Sequence, residues 1–143
     1  MHKLIFALHL LFAIFTIGPL AHAATTAARG ARTGDVGAIR SSVRMLQVYA
    51  GASVLAVLAG MGLVQEKWRA QFSDLWVWLS IALWVVAIVI VLVLLVPALQ
   101  QALTQLEGQQ PAATLNAKIA ASGGVVGLIF VGIVFLMVYK PGR

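Results

Sequence analysis

The chain has no cysteine among its 143 residues, and only four acidic residues against ten lysines and arginines. The missing cysteine excludes disulfides, iron–sulfur clusters and thiolate zinc sites from the chemistry of these residues. It leaves the redox compartment undetermined. Charge of either sign is scarce: 10% of residues are charged and 62% are hydrophobic, where a soluble domain carries roughly a quarter charged residues. A globule of this composition could not cover itself with polar surface, so lipid is its natural solvent. Catalytic signatures are missing too. No glycine-rich phosphate loop follows a strand, no Ser-His-Asp set is evident, and no acidic residue lies in an apolar run to carry a proton relay.

What is present is four apolar runs, Leu4 to Ala23, Met45 to Val64, Leu75 to Leu99 and Ile119 to Val138, none containing Lys, Arg, Asp or Glu. A helical span needs about 20 apolar residues. Barrel strands would alternate on a period of two instead. Only helices satisfy the backbone in lipid without closing a barrel. The expected fold is therefore all-α: a transmembrane four-helix bundle forming one membrane domain over residues 1–143. The first run has a rival reading. His2-Lys3, an apolar stretch and Ala21-His22-Ala23 resemble a secretory signal with a small-residue cleavage site. The stretch is long for a signal, so Met1 is expected to be retained.

The connections predict that helices continue past the membrane at 24–44 and 100–118. Alanines after Ala23 favour helix. Gly34 then Asp35 reads as a stop followed by an N-cap, so the first helix runs to about Arg32 and the second starts near Val36. The third helix continues to Glu107, Gly108 stops it, and Pro111 suits a first helical position. The short joint on the other side contains Glu66, Lys67, Trp68 and Arg69, with Ser73 as the cap of helix three. Two long antiparallel hairpins result, with both tips on one side and both termini on the other.

Basic residues flank the apolar runs, which is the membrane pattern and not a nucleic-acid interface. Lys3, Lys67, Arg69, Lys140 and Arg143 mark the terminal face; Arg29, Arg32, Arg40, Arg44 and Lys118 mark the tips. That count balances. The arginines following the first helix decide the orientation: tips in the cytoplasm of an inner or plasma membrane, termini outside. Arg29, Arg32, Arg40 and Arg44 would then meet anionic lipid headgroups. Trp68, Trp76 and Trp78 read as an interfacial aromatic belt; Trp84 lies deeper and calls for a helix contact or a partner.

Small residues at four-residue spacing mark close helix packing: Ala52, Ala56 and Gly60 on the second helix, with Gly123 and Gly127 on the fourth. The third helix, ringed by Val, Ile and Leu, mostly faces lipid. Gly18-Pro19 and Pro97 bend or loosen helices one and three. His9 is the one ionisable residue well inside an apolar run. It shares a small, polar helix face with Ala13, Thr16 and Ala23 that points into the bundle, and His22 falls on roughly the opposite face. Met61, Trp76, Trp78 and Met137 come to the depth of His9. A His–Met set could hold haem b or copper, yet there is no second buried histidine and no CxxCH. The first expectation is that His9 hydrogen-bonds a neighbouring helix and no cofactor is bound.

Ala7-Leu8-His9-Leu10-Leu11, Ala31-Arg32-Thr33-Gly34-Asp35, the small-residue second span and Leu136-Met137-Val138-Tyr139-Lys140-Pro141 resemble a bacterial family of four-span predicted integral membrane proteins, a domain of unknown function. The chain more distantly resembles four-helix membrane proteins of copper resistance and haem biosynthesis. That second likeness implies a haem or metal ligand at His9. The expected function is a non-enzymatic accessory or scaffold subunit of a membrane complex, touching lipid and other membrane proteins or itself. The alternative is a haem b- or metal-binding protein centred on His9, with Met61 and Met137 as partner ligands. A small transporter is disfavoured by the lack of charge within the spans.

Overall fold

The computed structural model describes residues 2–64, 71–109 and 113–141. Met1, Glu66, Lys67, Trp68, Arg69, Pro111 and Arg143, each named in the sequence reading, lie outside the described residues. The elements are α1 (His2–Phe12), a π-helical turn (Ala13–Ile17), α2 (Gly18–Thr33), α3 (Val36–Met61), α4 (Leu75–Val89), a second π-helical turn (Ile90–Leu95), α5 (Val96–Glu107) and α6 (Ala113–Tyr139). α1 and α2 run as one rod through the first π turn, and α4 and α5 as another through the second. With α3 and α6 they make an all-α bundle of four helices long and apolar enough to cross a membrane: Lys3–Thr33, Val36–Met61, Leu75–Glu107 and Leu115–Tyr139.

The hairpin tips form where the residue chemistry requires. Gly34 ends α2 at φ 70°, a left-handed conformation glycine adopts without a Cβ penalty. Asp35 then caps α3, its Oδ1 accepting from the Ala38 N–H at 3.1 Å. Arg40 of α3 forms an ion pair with Glu107 at the end of α5, joining the two hairpins at their tips. Both partners are half exposed, so the pair is worth at most about 1 kcal/mol.

At the other end two details differ from the sequence reading. α3 stops at Met61, three residues before the apolar run does. There the N–H groups of Leu63 and Val64 turn back to the carbonyls of Gly60 and Met61, tightening the chain into successive turns. The cap position of α4 is Asp74 and not Ser73. Ser73 Oγ instead donates to Gln71 Oε1, and the Asp74 carboxylate takes the Gln71 N–H at 2.8 Å.

Each π turn ends two residues before a proline, Pro19 and Pro97. Proline has no N–H and its ring crowds the carbonyl one turn back. Widening the preceding turn relieves both problems, so the loosening expected at these prolines takes the form of π turns. In the first, the Thr16 hydroxyl donates to the Phe12 carbonyl.

The four rods do not pack evenly along their length. On the tip side α2 lies against α3 and α6, and α5 against α3 and α6. The main core sits here, with Leu20, Ile39, Leu46, Leu99, Ala102 and Ile119 all fully buried. On the terminal side α1 packs chiefly on α3, and α4 chiefly on α6. Trp76 and Val77 form a small apolar cluster of their own there, with Val64 and Ile81 against it.

Candidate functional site

Where the two helix pairs part, a cavity of about 400 Å³ opens between them. All four rods contribute walls: Phe6 and His9 from α1, Gly60 and Met61 from α3, Trp76 from α4 and Met137 from α6. Its size falls within the range of small-molecule sites. The lining is overwhelmingly apolar, so the few polar atoms facing it carry its specificity.

His9 is the first of these. Its ring lies against α3, where a Cβ added to Gly60 would sit 2.9 Å from His9 Cε1. The absence of a side chain at Gly60 is what admits the imidazole. His9 Nδ1 is 2.8 Å from the Ala56 carbonyl oxygen. A carbonyl can only accept, so Nδ1 carries the proton, and in the neutral ring Nε2 keeps its lone pair. Ala56 is buried, and Ala52 and Gly60 are both half-buried. Met61 and Met137 line the same cavity while each remains about 40% and 39% exposed. His22 is exposed on the outer side of α2. Among the described residues, no group of three or more His, Cys, Asp or Glu could hold a metal ion.

Trp76 departs from the belt expected of it. It is only 8% exposed, and its Nε1 is buried without a hydrogen-bond partner. The Lys140 ammonium lies over its ring, 5.3 Å from the centroid, within cation–π range. Trp78, two residues on, does face outward at 55% exposure and donates its N–H to the Phe72 carbonyl. Trp84 answers to a helix contact: its Nε1 donates to Ser53 Oγ at 3.1 Å, and Ser53 donates to the Ala50 carbonyl. This relay ties α4 to α3 at the wall of the cavity.

Lys140 reaches its place through an unusual backbone. It follows the last residue of α6 with φ 48°, its N–H bonded to the Leu136 carbonyl at 2.9 Å. Glycine or asparagine normally takes such a left-handed cap, and other residues there cost of order 1 kcal/mol. The sequence marks Lys140 only as a flanking charge and Trp76 only as a belt residue. What brings them together is the turn at the end of α6, which composition does not reveal.

Four features now stand together: four apolar helices, a loop-to-helix cap at Asp35, a histidine on the first span, and the closing Tyr139-Lys140-Pro141. A family model of predicted integral membrane proteins, domain of unknown function 2269, matches residues 3–141. The chain belongs to this family of predicted integral membrane proteins. The match takes in every helix described above, the cavity included. No curated protein matches the chain, and no solved structure does either.

On the tip side, Arg29, Arg32, Arg40 and Arg44 are all exposed. Arg32 borders a second, shallower cleft of about 350 Å³ between α2 and α6, with Thr25 and Asn116. The close helix contact lies just beside it: a Cβ on Gly123 would collide with the Ala24 carbonyl, whereas one on Gly127 would meet only the Thr25 methyl at 2.9 Å.

Proposed function

We propose that the protein is a non-enzymatic membrane subunit that works by holding an apolar molecule in the cavity between its two helix pairs, as an accessory component of a larger membrane assembly. The observation that carries this reading is the cavity itself, walled by all four rods at the end where they part. An unfilled apolar space of this size inside a membrane bundle forfeits dispersion contacts along its whole lining, and a bound apolar molecule restores them. The test is extraction of the detergent-purified protein with organic solvent, followed by mass spectrometry. A hydrophobic molecule is expected in stoichiometric amount, and its loss is expected in Val57→Trp, which fills the cavity from α3. No difference between the two proteins would end this reading.

His9 supports a second reading, a haem b or copper site. A histidine ligand commonly donates its other ring N–H to a backbone carbonyl, which fixes the tautomer and orients the ring. His9 has that arrangement with Ala56. The donor chemistry fits: His9 Nε2 would ligate, with Met61 or Met137 as the soft second ligand. Such a group would supply one-electron transfer. The check is an absorption spectrum with metal analysis. A Soret band or stoichiometric copper that vanishes in His9→Gln and persists in His22→Gln would replace the first reading with this one.

For orientation, the arginines at 29, 32, 40 and 44 support tips in the cytoplasm against anionic headgroups, with both termini outside a plasma or inner membrane. Thr33→Cys and Phe72→Cys, both at exposed positions on opposite sides, test it. Labelling of Phe72→Cys, and not Thr33→Cys, by an impermeant reagent added outside intact cells is the expected result.

A further inference from the structure

We infer that the molecule held in the cavity is an anionic phospholipid, with one acyl chain inserted between the helix pairs, its ester carbonyl taking the Trp76 N–H and its phosphate drawn to Lys140. This rests on the reading of the cavity as a holding site and names the occupant.

The argument begins with Trp76. A buried indole N–H without a partner costs about 1–3 kcal/mol, and orphans of this kind are rare in folded proteins. Trp76 is more than nine-tenths buried, borders the cavity, and its Nε1 meets no acceptor among the described residues. An acceptor brought by a molecule in the cavity would supply the partner that the described residues do not. At the end of α6 the Lys140 ammonium lies over the same ring. The backbone holds it there in a left-handed conformation that a lysine occupies at a cost. The cavity thus presents, from its mouth inward, a cation, a hydrogen-bond donor and a long apolar wall of Val57, Ile81 and Ile133.

A phospholipid presents the complementary sequence in the same order: phosphate, ester carbonyl, hydrocarbon. Trp76 and Lys140 sit in the first turn of α4 and just past the last residue of α6. That is the level at which aromatic and basic side chains meet headgroups. A wholly apolar ligand would leave the Trp76 N–H unanswered, and a cationic one would be repelled by Lys140.

Native mass spectrometry of the detergent-purified protein titrated with dioleoylphosphatidylglycerol or dioleoylphosphatidylcholine tests the assignment. One molecule of the glycerol lipid should be retained in preference to the choline lipid. Trp76→Phe, which removes the N–H and keeps most of the ring area, should weaken retention by about tenfold, the equivalent of one hydrogen bond. Lys140→Gln should weaken the glycerol lipid by a similar factor and leave the choline lipid unchanged. Lys118→Gln, exposed at the far end, should change neither. Equal retention of both lipids, or retention insensitive to Trp76→Phe and Lys140→Gln, overturns the lipid assignment. If an uncharged molecule copurifies and is lost in Val57→Trp, the cavity reading survives and this one falls. If Val57→Trp does not fold, Ile81→Phe fills the same space from α4.

Discussion

The tip half and the terminal half of this bundle are built from the same four rods and pack in opposite ways, and the reason is side-chain size. α2 reads Gly-Pro-Leu-Ala-His-Ala-Ala-Thr-Thr-Ala-Ala-Arg-Gly, and the facing start of α6 carries Ala-Ala-Ser-Gly-Gly. Small residues let backbones approach closely, which is how helices associate in lipid. α1 and the end of α6 reverse this composition, with Phe6 and Leu10 on one and Ile133 and Met137 on the other lining the cavity. Because α1–α2 and α6 are antiparallel, their small halves coincide at the tips and their large halves at the termini. The first end closes into a core; the second is held apart around a cavity.

Substitutions that change residue size should break this contrast in a definite order. Gly123→Leu should have the largest effect. Its Cβ would collide with backbone at Ala24, which cannot move aside without shifting α2. A loss of about 3 kcal/mol or more is expected, read as a large drop in thermal midpoint in detergent. A midpoint within a degree of wild type would show that the close contact at the tips is not what holds them together.

Gly60→Leu comes next, because it meets the His9 ring, a side chain that can rotate away at the cost of its bond to Ala56. About 1–3 kcal/mol is expected. The double variant Gly60→Ala with His9→Ala should recover most of the Gly60→Ala loss, since the ring is then absent. No recovery would mean that the clash lies elsewhere. Gly127→Leu should cost less than Gly60→Leu, as only the exposed Thr25 methyl stands in its way. Last, Val89→Leu adds one methylene on a side chain already 50% exposed and should stay within about 0.5 kcal/mol. If Val89→Leu proved as damaging as Gly60→Leu, the outer face of α4 would be an interface and not a lipid surface.

Much of the architecture is legible in the sequence, since run length and missing charge are strong constraints in lipid. The helix ends at Gly34, Asp35 and Gly108 were equally legible, because each is a local rule of capping. The end of α3 at Met61 and the cap at Asp74 were not, because tertiary contacts decide between neighbouring candidates. At the cavity, composition alone singles out His9, and helix depth puts Met61, Trp76 and Met137 beside it. The reach of Lys140 over the Trp76 ring depends on its own left-handed backbone past α6, which no periodicity records. Trp78 and Trp76 look alike in sequence, yet one is exposed and the other buried, because side chains two residues apart on a helix point about 200° apart.

The two wide turns ahead of Pro19 and Pro97 have a consequence for numbering itself. Each accommodates one residue more than an α-helical turn would, so the rod beyond it is out of phase with the rod before it by about 100°. Leu20, Ala23 and Ala27 lie beyond the first such turn and are all buried. Deleting one residue within Ala13–Ile17 would therefore remove the extra residue and let the turn close to α-helical width, leaving the alanine face where it is, whereas the same deletion within α1 would turn the residues before it about 100° against that face. A one-residue deletion in the wide turn and one in the helix beside it are the same edit on paper, and they would be opposite events in the membrane.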